Sequence, residues 1–65
     1  MTWEEVKNSV SQWLWDNDEH TYFWILNTDE STKTVHARGF SGLETDLFYS
    51  SSRFFRNALS NEVLI

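Results

Sequence analysis

The chain has to build its core from 65 residues without any cross-link, because it contains no cysteine. The core must be efficient per residue, since ordering a chain of this length costs on the order of 100 kcal/mol at ~1.5 kcal/mol per residue. The sequence supplies four Trp, two Tyr and five Phe, and each aromatic side chain buries roughly 150–250 Å². We expect most of these aromatic residues to serve the core of a single domain over residues 1–65.

The composition excludes several classes of protein. Without cysteine, the chain can form neither a disulfide scaffold nor a Cys-ligated zinc site. The longest apolar run, Tyr22 to Leu26, is far shorter than the roughly 20 residues of a membrane-spanning helix. No basic and apolar leader precedes Thr2, which predicts an unprocessed cytoplasmic chain.

No residue pattern indicates catalysis or a cofactor. Residues 39–42 (GFSG) lack the spacing of a nucleophile elbow, and the chain has no glycine-rich phosphate loop. Asp16, Asp18 and His20 have the spacing of the first ligands in a calcium loop, but the later Gly and Glu are missing. We therefore expect neither an enzyme nor a bound metal or cofactor.

A capping box predicts the first helix. Thr2 and Glu5 can exchange side-chain and backbone hydrogen bonds, so a helix should begin at Trp3. Apolar residues then follow at helical spacing for about 13 residues. The predicted buried stripe consists of Trp3, Val6, Val10, Trp13 and Leu14. Trp15 falls on the polar side, so either the helix has ended by then or this Trp points away from the core.

The middle of the chain predicts an antiparallel hairpin. After a loop over residues 16–19, Thr21 to Asn27 is rich in β-forming residues. A polar turn from Thr28 to Thr32 separates it from a second strand, Lys33 to Phe40. In the first of these strands both faces are apolar, with Phe23 and Ile25 on one side and Tyr22, Trp24 and Leu26 on the other. In the second strand Val35 and Ala37 face the core.

The last third of the chain allows two interpretations. Residues 43–50 could form a helix that opens at Ser41 and Glu44, or a third strand over about 44–50. We favour the strand, because the three serines at 50–52 suit a helix N-cap better than a helix interior. A second helix over about 52–60 would bury Phe54, Phe55, Ala58 and Leu59. The apolar end, residues 63–65, should dock onto the domain.

These elements predict an α+β fold with the order α-β-β-(β)-α. A small antiparallel sheet of two to three strands would carry two helices packed on one face.

The net charge of −5 is unevenly distributed. Residues 1–30 have a net charge of −6, and residues 31–65 have a net charge of +1. The lengths of the first helix and the first strand predict two acidic clusters roughly 20 Å apart, at the two ends of an aromatic sheet. One cluster consists of Glu4, Glu5, Asp29 and Glu30, and the other of Asp16, Asp18 and Glu19.

The second cluster is the stronger candidate for binding. Acids in the first helical turn complement the helix dipole, whereas acids after a helix C-terminus are disfavoured. The segment from Asp16 to Glu19 therefore predicts either a partner-binding role or a solvated loop. Trp15 beside it is the first candidate anchor, with Tyr22 and Trp24 next.

A surface of this charge suits a basic partner, such as the nucleic-acid-binding groove of another protein. Direct nucleic-acid binding is not expected, since phosphates require a basic field. A sheet-based nucleic-acid binder would use Tyr22 and Trp24 with His36 and Arg38. A small assembly module that docks through the Tyr22 and Trp24 face is the other alternative.

In size, acidity and lack of cysteine and enzyme motifs, the whole chain resembles the small anti-CRISPR proteins of phages and mobile elements. The resemblance rests on no motif. Several members of that class mimic DNA, so the resemblance implies a non-enzymatic inhibitor that blocks access of a CRISPR effector complex to its target DNA. We expect such a protein to be a monomer in the cytoplasm of the host cell.

Overall fold

A computed structural model of the chain describes residues 1–56. Within them the chain forms one short helix and a five-stranded sheet in which all neighbouring strands are antiparallel. The elements are α1 (Trp3–Lys7), β1 (Trp13–Asp16), β2 (Thr21–Asp29), β3 (Thr34–Arg38), β4 (Glu44–Phe48) and β5 (Phe54–Phe55). The strand order is β4-β3-β2-β1-β5. The predicted fold, two helices on a sheet of two to three strands, is therefore wrong.

The predicted start of the first helix is confirmed. The Glu5 amide donates to the Thr2 hydroxyl at 3.1 Å, and the Thr2 amide donates to the Glu5 carboxylate at 2.8 Å. These two bonds satisfy donors that a helix N-terminus leaves without partners.

The helix ends at Lys7, so the prediction that it continues to about residue 15 is wrong. The Ser9 hydroxyl donates to the Glu5 carbonyl four residues back, at 2.7 Å, which competes with regular helix bonding. Ser11 has a φ of 65°, in the left-handed region that a right-handed helix does not contain. The chain therefore turns away before Trp13.

Residues 13–16 follow the period of a strand. Leu14 and Asp16 are buried, whereas Trp13 is 41% exposed and Trp15 is half-buried. Leu14 lies opposite Phe23 on β2. Successive side chains in a strand point to opposite faces, so Trp13 and Trp15 share the face away from the core.

The predicted hairpin of β2 and β3 is confirmed, and β2 continues two residues beyond the predicted end, to Asp29. Ile25 lies opposite Ala37, but Asn27 lies opposite His36, so Leu26 forms a bulge. The predicted third strand is confirmed as β4, and the alternative helix over these residues is wrong.

The predicted second helix over about 52–60 is wrong where the structure describes it. Phe54 and Phe55 form β5, which pairs with the edge of β1. Phe54 is fully buried and Phe55 is 37% exposed, as strand alternation requires. The rest of that prediction, with Ala58, Leu59 and residues 63–65, lies outside the described residues.

The core lies between the inner face of the sheet and α1. Its buried apolar residues are Val6, Leu14, Phe23, Ile25, Val35, Ala37, Leu47 and Phe54. Only two of them are aromatic, so the expectation that most aromatic residues serve the core is wrong. Met1, Trp3 and Tyr49 pack against this core with part of their surface exposed.

The helix covers only one end of the inner face. Five helical residues span about 7.5 Å, whereas the nine residues of β2 span about 30 Å. Trp3 fixes α1 at the turn between β2 and β3, because its indole N–H donates to Glu30 at 2.9 Å and its ring lies 5.3 Å from that of Tyr49. No helix among residues 1–56 covers the opposite end, near Thr21. Nor is any helix among them long and apolar enough to cross a membrane.

A buried ion pair connects β1 to the segment before β5. Asp16 is fully buried, and its two carboxylate oxygens accept from Nε and Nη2 of Arg53, each at 3.0 Å. The amides of Asp18 and Glu19 donate to Asp16 Oδ1 at 2.9 and 3.3 Å. The prediction that Asp16 belongs to a loop is therefore wrong: it is the last residue of β1, and it organises the turn that follows.

Asp16→Asn should destabilise the fold strongly. The substitution leaves Arg53, whose side chain is 12% exposed, without its buried counter-charge, and breaking a buried pair in this way costs roughly 3–5 kcal/mol. Asp18→Asn is the matched control, because that carboxylate is 61% exposed and such pairs contribute about 1 kcal/mol or less. Urea unfolding followed by circular dichroism measures both changes. Equal unfolding midpoints for the two variants would contradict the structural role of the pair.

Candidate functional site

The outer face of the sheet carries a cluster of aromatic side chains. We call it the outer aromatic face, and it consists of Trp13, Trp15, Tyr22, Trp24, Phe40 and Phe55. Trp13, Phe40 and Phe55 are 41%, 71% and 37% exposed, and the others are half-buried. No helix among residues 1–56 lies over this face.

Contacts between the rings order this face. Trp13 and Trp24 lie opposite each other on β1 and β2, and so do Trp15 and Tyr22. Their ring centroids are 5.5 and 5.1 Å apart in edge-to-face arrangements, and the Phe40 ring lies 4.9 Å from that of Trp13. Aromatic pairs of this kind contribute about 0.5–1.5 kcal/mol beyond the area they bury. The outer aromatic face is therefore preorganised by contacts within the chain.

Charged pairs continue the outer face across β3 and β4. Arg38 lies opposite Trp24 on one side and Glu44 on the other, and it donates to the Glu44 carboxylate at 3.0 Å. His36 hydrogen-bonds to Asp46 across the same two strands. An aromatic area thus adjoins an area in which the charges are already paired.

Two members of the first predicted acidic cluster, Glu4 and Glu30, share the same lysine near one end of β2. The Lys7 ammonium lies 2.5 Å from the Glu4 carboxylate and 2.8 Å from that of Glu30. Hydrogen bonds from Lys33, Lys7 and the Trp3 indole lower the pKa of Glu30 to about 2. Little of this negative charge is left for a partner.

The remaining members of that cluster have local roles. The bond from the Thr2 amide, in the capping box, lowers the pKa of Glu5. The Ser31 hydroxyl and amide donate to Asp29 at 2.8 and 3.0 Å, and these bonds lower the pKa of Asp29. Both carboxylates stabilise turns or termini of their own segment.

The second predicted cluster is divided by the structure. Asp16 is buried against Arg53, whereas Asp18 and Glu19 lie in the turn between β1 and β2. Asp18 is 3.6 Å from Arg53. The Glu19 carboxylate is exposed and makes no hydrogen bond or ion pair with any of residues 1–56. Exposed negative charge of the cluster therefore concentrates in this turn.

The turn adjoins the outer aromatic face. Trp15 is the residue before Asp16, and its ring lies 6.3 Å from that of His20, the last residue before β2. Asp18 and Glu19 lie in the turn that directly follows β1, the strand that carries Trp15. The structure also places Tyr22 and Trp24 on the same face as Trp15.

Three aromatic members of this face were not predicted as site residues. The sequence assigned Trp13 and Phe55 to the buried sides of helices. Strand alternation over residues 13–16 would have placed Trp13 on the same face as Trp15. Phe40 lies beyond the end of β3, and no sequence pattern places it against Trp13.

Within residues 1–56, no group of three or more His, Asp or Glu side chains is arranged to hold a metal ion. Comparison with known proteins found no matching family model, no matching curated protein and no matching solved structure.

The depressed pKa of Glu30 predicts a defined acid sensitivity. A carboxyl group with a lowered folded-state pKa stabilises the fold above its unfolded pKa, and this contribution is lost as the pH falls through the folded value. The melting temperature of the wild type should therefore exceed that of Glu30→Gln at pH 7. The difference should disappear between pH values of about 4.5 and about 2.

Thermal melts of both proteins from pH 7 to pH 2 measure this difference. Glu19→Gln is the control, because Glu19 has no side-chain partner among the described residues, and its melting temperature should follow that of the wild type. A Glu30→Gln difference that stays constant over the whole range would contradict the assignment.

Proposed function

We propose that this chain is a non-enzymatic binding protein that docks its outer aromatic face onto a basic surface of a nucleic-acid-binding protein. The observation that carries the proposal is an ordered, exposed aromatic cluster beside the Asp18 and Glu19 turn. Contiguous exposed apolar patches on small proteins mark interaction sites.

The chemistry of this face favours a cationic partner. Trp rings attract Arg and Lys side chains through their negative π faces, and Trp is the strongest of the aromatic residues in this respect. Exposed carboxylates at the edge add attraction, and a net charge of −5 speeds association with a basic partner. Basic grooves that track phosphates are typical of nucleic-acid-binding proteins.

A protein bound in such a groove would prevent nucleic acid from entering it, so the proposed activity is inhibition by occupancy. The CRISPR effector surface implied by the resemblance has this chemistry, and docking there would block access to target DNA. The proposal includes a monomeric inhibitor in the cytoplasm. It relies on the aromatic residues with Asp18 and Glu19, since Glu4, Glu5, Asp29 and Glu30 bind partners within the chain.

The aromatic character of the same face favours one second candidate, an assembly module that docks through it. Two copies face to face would bury the exposed parts of Trp13, Phe40 and Phe55. Light scattering tests this function: an oligomer that resists high salt and is lost in Trp24→Ser would support it. A monomer at all salt concentrations would rule out self-association through this face.

Replacing Trp13 and Trp24 together by Ser should abolish partner capture. Truncation of a hot-spot aromatic costs roughly 2 kcal/mol or more, which corresponds to at least a tenfold loss of affinity at ~1.4 kcal/mol per factor of ten. The measurement is a pulldown from a lysate that contains nucleic-acid-processing complexes, followed by identification of basic proteins that are released by added DNA.

Phe48→Ser is the matched control. Phe48 is 74% exposed and points to the same side of the sheet, but it lies opposite Thr34 on the edge strand β4, three strands away from β1 and outside the aromatic cluster. Capture should survive in this variant, and capture by both the wild type and this control should decrease at high salt. Equal capture by the double variant and the control, or capture that DNA does not reduce, would contradict the proposed function.

A further inference from the structure

Among residues 1–56, no helix covers the inner face of the sheet at the end that α1 does not reach. A surface depression of about 400 Å³ lies there, lined among others by Glu19, Phe23, Gly39, Leu43 and Thr45. Its volume falls within the roughly 300–1,000 Å³ range of small-ligand sites.

Glycine at position 39 keeps the floor of the depression clear. Among the described glycines only Gly42 has a positive φ, so the backbone at Gly39 does not require glycine. A Cβ placed there would lie 3.6 Å from Cε1 of Phe23, in ordinary van der Waals contact. The missing side chain therefore leaves room beside Phe23, which is itself only 8% exposed and belongs to the core.

The walls and rim combine apolar surface with one carboxylate. Leu43 and Phe40, which also line the depression, are 73% and 71% exposed. Glu19 contributes a carboxylate that has no partner among residues 1–56. Apolar walls around a single negative charge complement a side chain with an apolar stem and a cationic head.

We propose that this depression binds an arginine side chain of the basic partner protein. The arginine stem would pack on Leu43, its planar guanidinium would stack on the exposed Phe40 ring, and its N–H groups would donate to Glu19. Lysine fits less well, since a compact and strongly hydrated ammonium cannot stack or bond in a bidentate manner. The inference rests on the proposed function only in assigning the arginine to a protein partner.

Phe40 connects the depression to the outer aromatic face. It lines the depression and also lies 4.9 Å from Trp13 on the outer face. A partner that wraps around this end of the sheet could contact both surfaces at once. The arginine would then determine the orientation of the partner, and contacts with the aromatic residues would stabilise the complex.

The test is a ¹H–¹⁵N NMR titration of the full chain with N-acetyl-arginine methylamide. Capped norleucine, which retains an apolar stem without charge, and capped lysine are the comparison probes. Capped arginine should shift the amides of Glu19, Phe23, Gly39 and Thr45, with a dissociation constant on the order of 1 mM. Capped lysine should bind more weakly, and norleucine should give small shifts.

Glu19→Gln should weaken arginine binding about threefold, as expected for an exposed charge pair. Glu44→Gln is the matched control, because it removes the same charge from a residue that pairs with Arg38 outside the depression. Equal loss in both variants would indicate attraction by net charge alone and would overturn the proposal. Shifts confined to the outer aromatic face, or equal shifts with norleucine, would also overturn it.

Two other occupants would be recognised in the same experiment. Shifts that change with protein concentration in the absence of ligand would assign the depression to a second copy of the chain. Nuclear Overhauser contacts from residues 57–65 to Leu43 would assign it to the chain itself. Either result would overturn the proposal.

The two proposals can fail separately. Arginine binding is measured without a partner, so it can be present even if the tryptophan variants leave partner capture unchanged. That outcome would reject the proposed function and keep the arginine site. If the tryptophan variants lose capture but no arginine binding is detected, the arginine site is rejected and the proposed function is kept.

Discussion

The bidentate pair between Asp16 and Arg53 connects two parts of this fold that are 37 residues apart in sequence. Asp16 ends β1, and its carboxylate also accepts the amides that shape the following turn. Arg53 directly precedes β5, so the same pair positions Phe54 to fill the core and Phe55 to extend the outer face. A buried carboxylate is unfavourable without such a partner. The pair therefore favours one register of β1, which also sets the direction in which its two tryptophans point.

The helix prediction failed because residues 13–15 fit two periods. A helical stripe accommodates Trp13 and Leu14, but period-two alternation accommodates Trp13, Leu14, Trp15 and Asp16 together. In the predicted helix Trp15 lies on the polar side, and this misfit indicates the two-residue period of a strand. The capping box fixed where α1 begins, and nothing comparable marked its end, which depends on the backbone at Ser11. The partner of Asp16 lies 37 residues away, beyond what local pattern reveals.

The candidate site was predictable to the extent that it depends on alternation. Trp15, Tyr22 and Trp24 follow from strand period alone, and the structure places them on one face. The acidic residues were harder, because their electrostatic role depends on cations brought near by folding. Lys7 neutralises Glu4 from the next helical turn, a local relation, but it reaches Glu30 across 23 positions. Glu19 stands out only after the other carboxylates have found partners.

One constraint accounts for both proposed surfaces. A sheet has two faces, and the described chain supplies a single helix of five residues to cover them. That helix shields one end of the inner face, so the core takes two aromatic residues, Phe23 and Phe54, and the other aromatic residues remain partly exposed. Their rings pack against one another across strands, which orders them without burying them. The outer aromatic face and the open depression are thus the two areas that the short helix leaves uncovered, and Phe40 lies at their border. A partner that contacts both the outer aromatic face and the depression would bury apolar surface that residues 1–56 leave exposed.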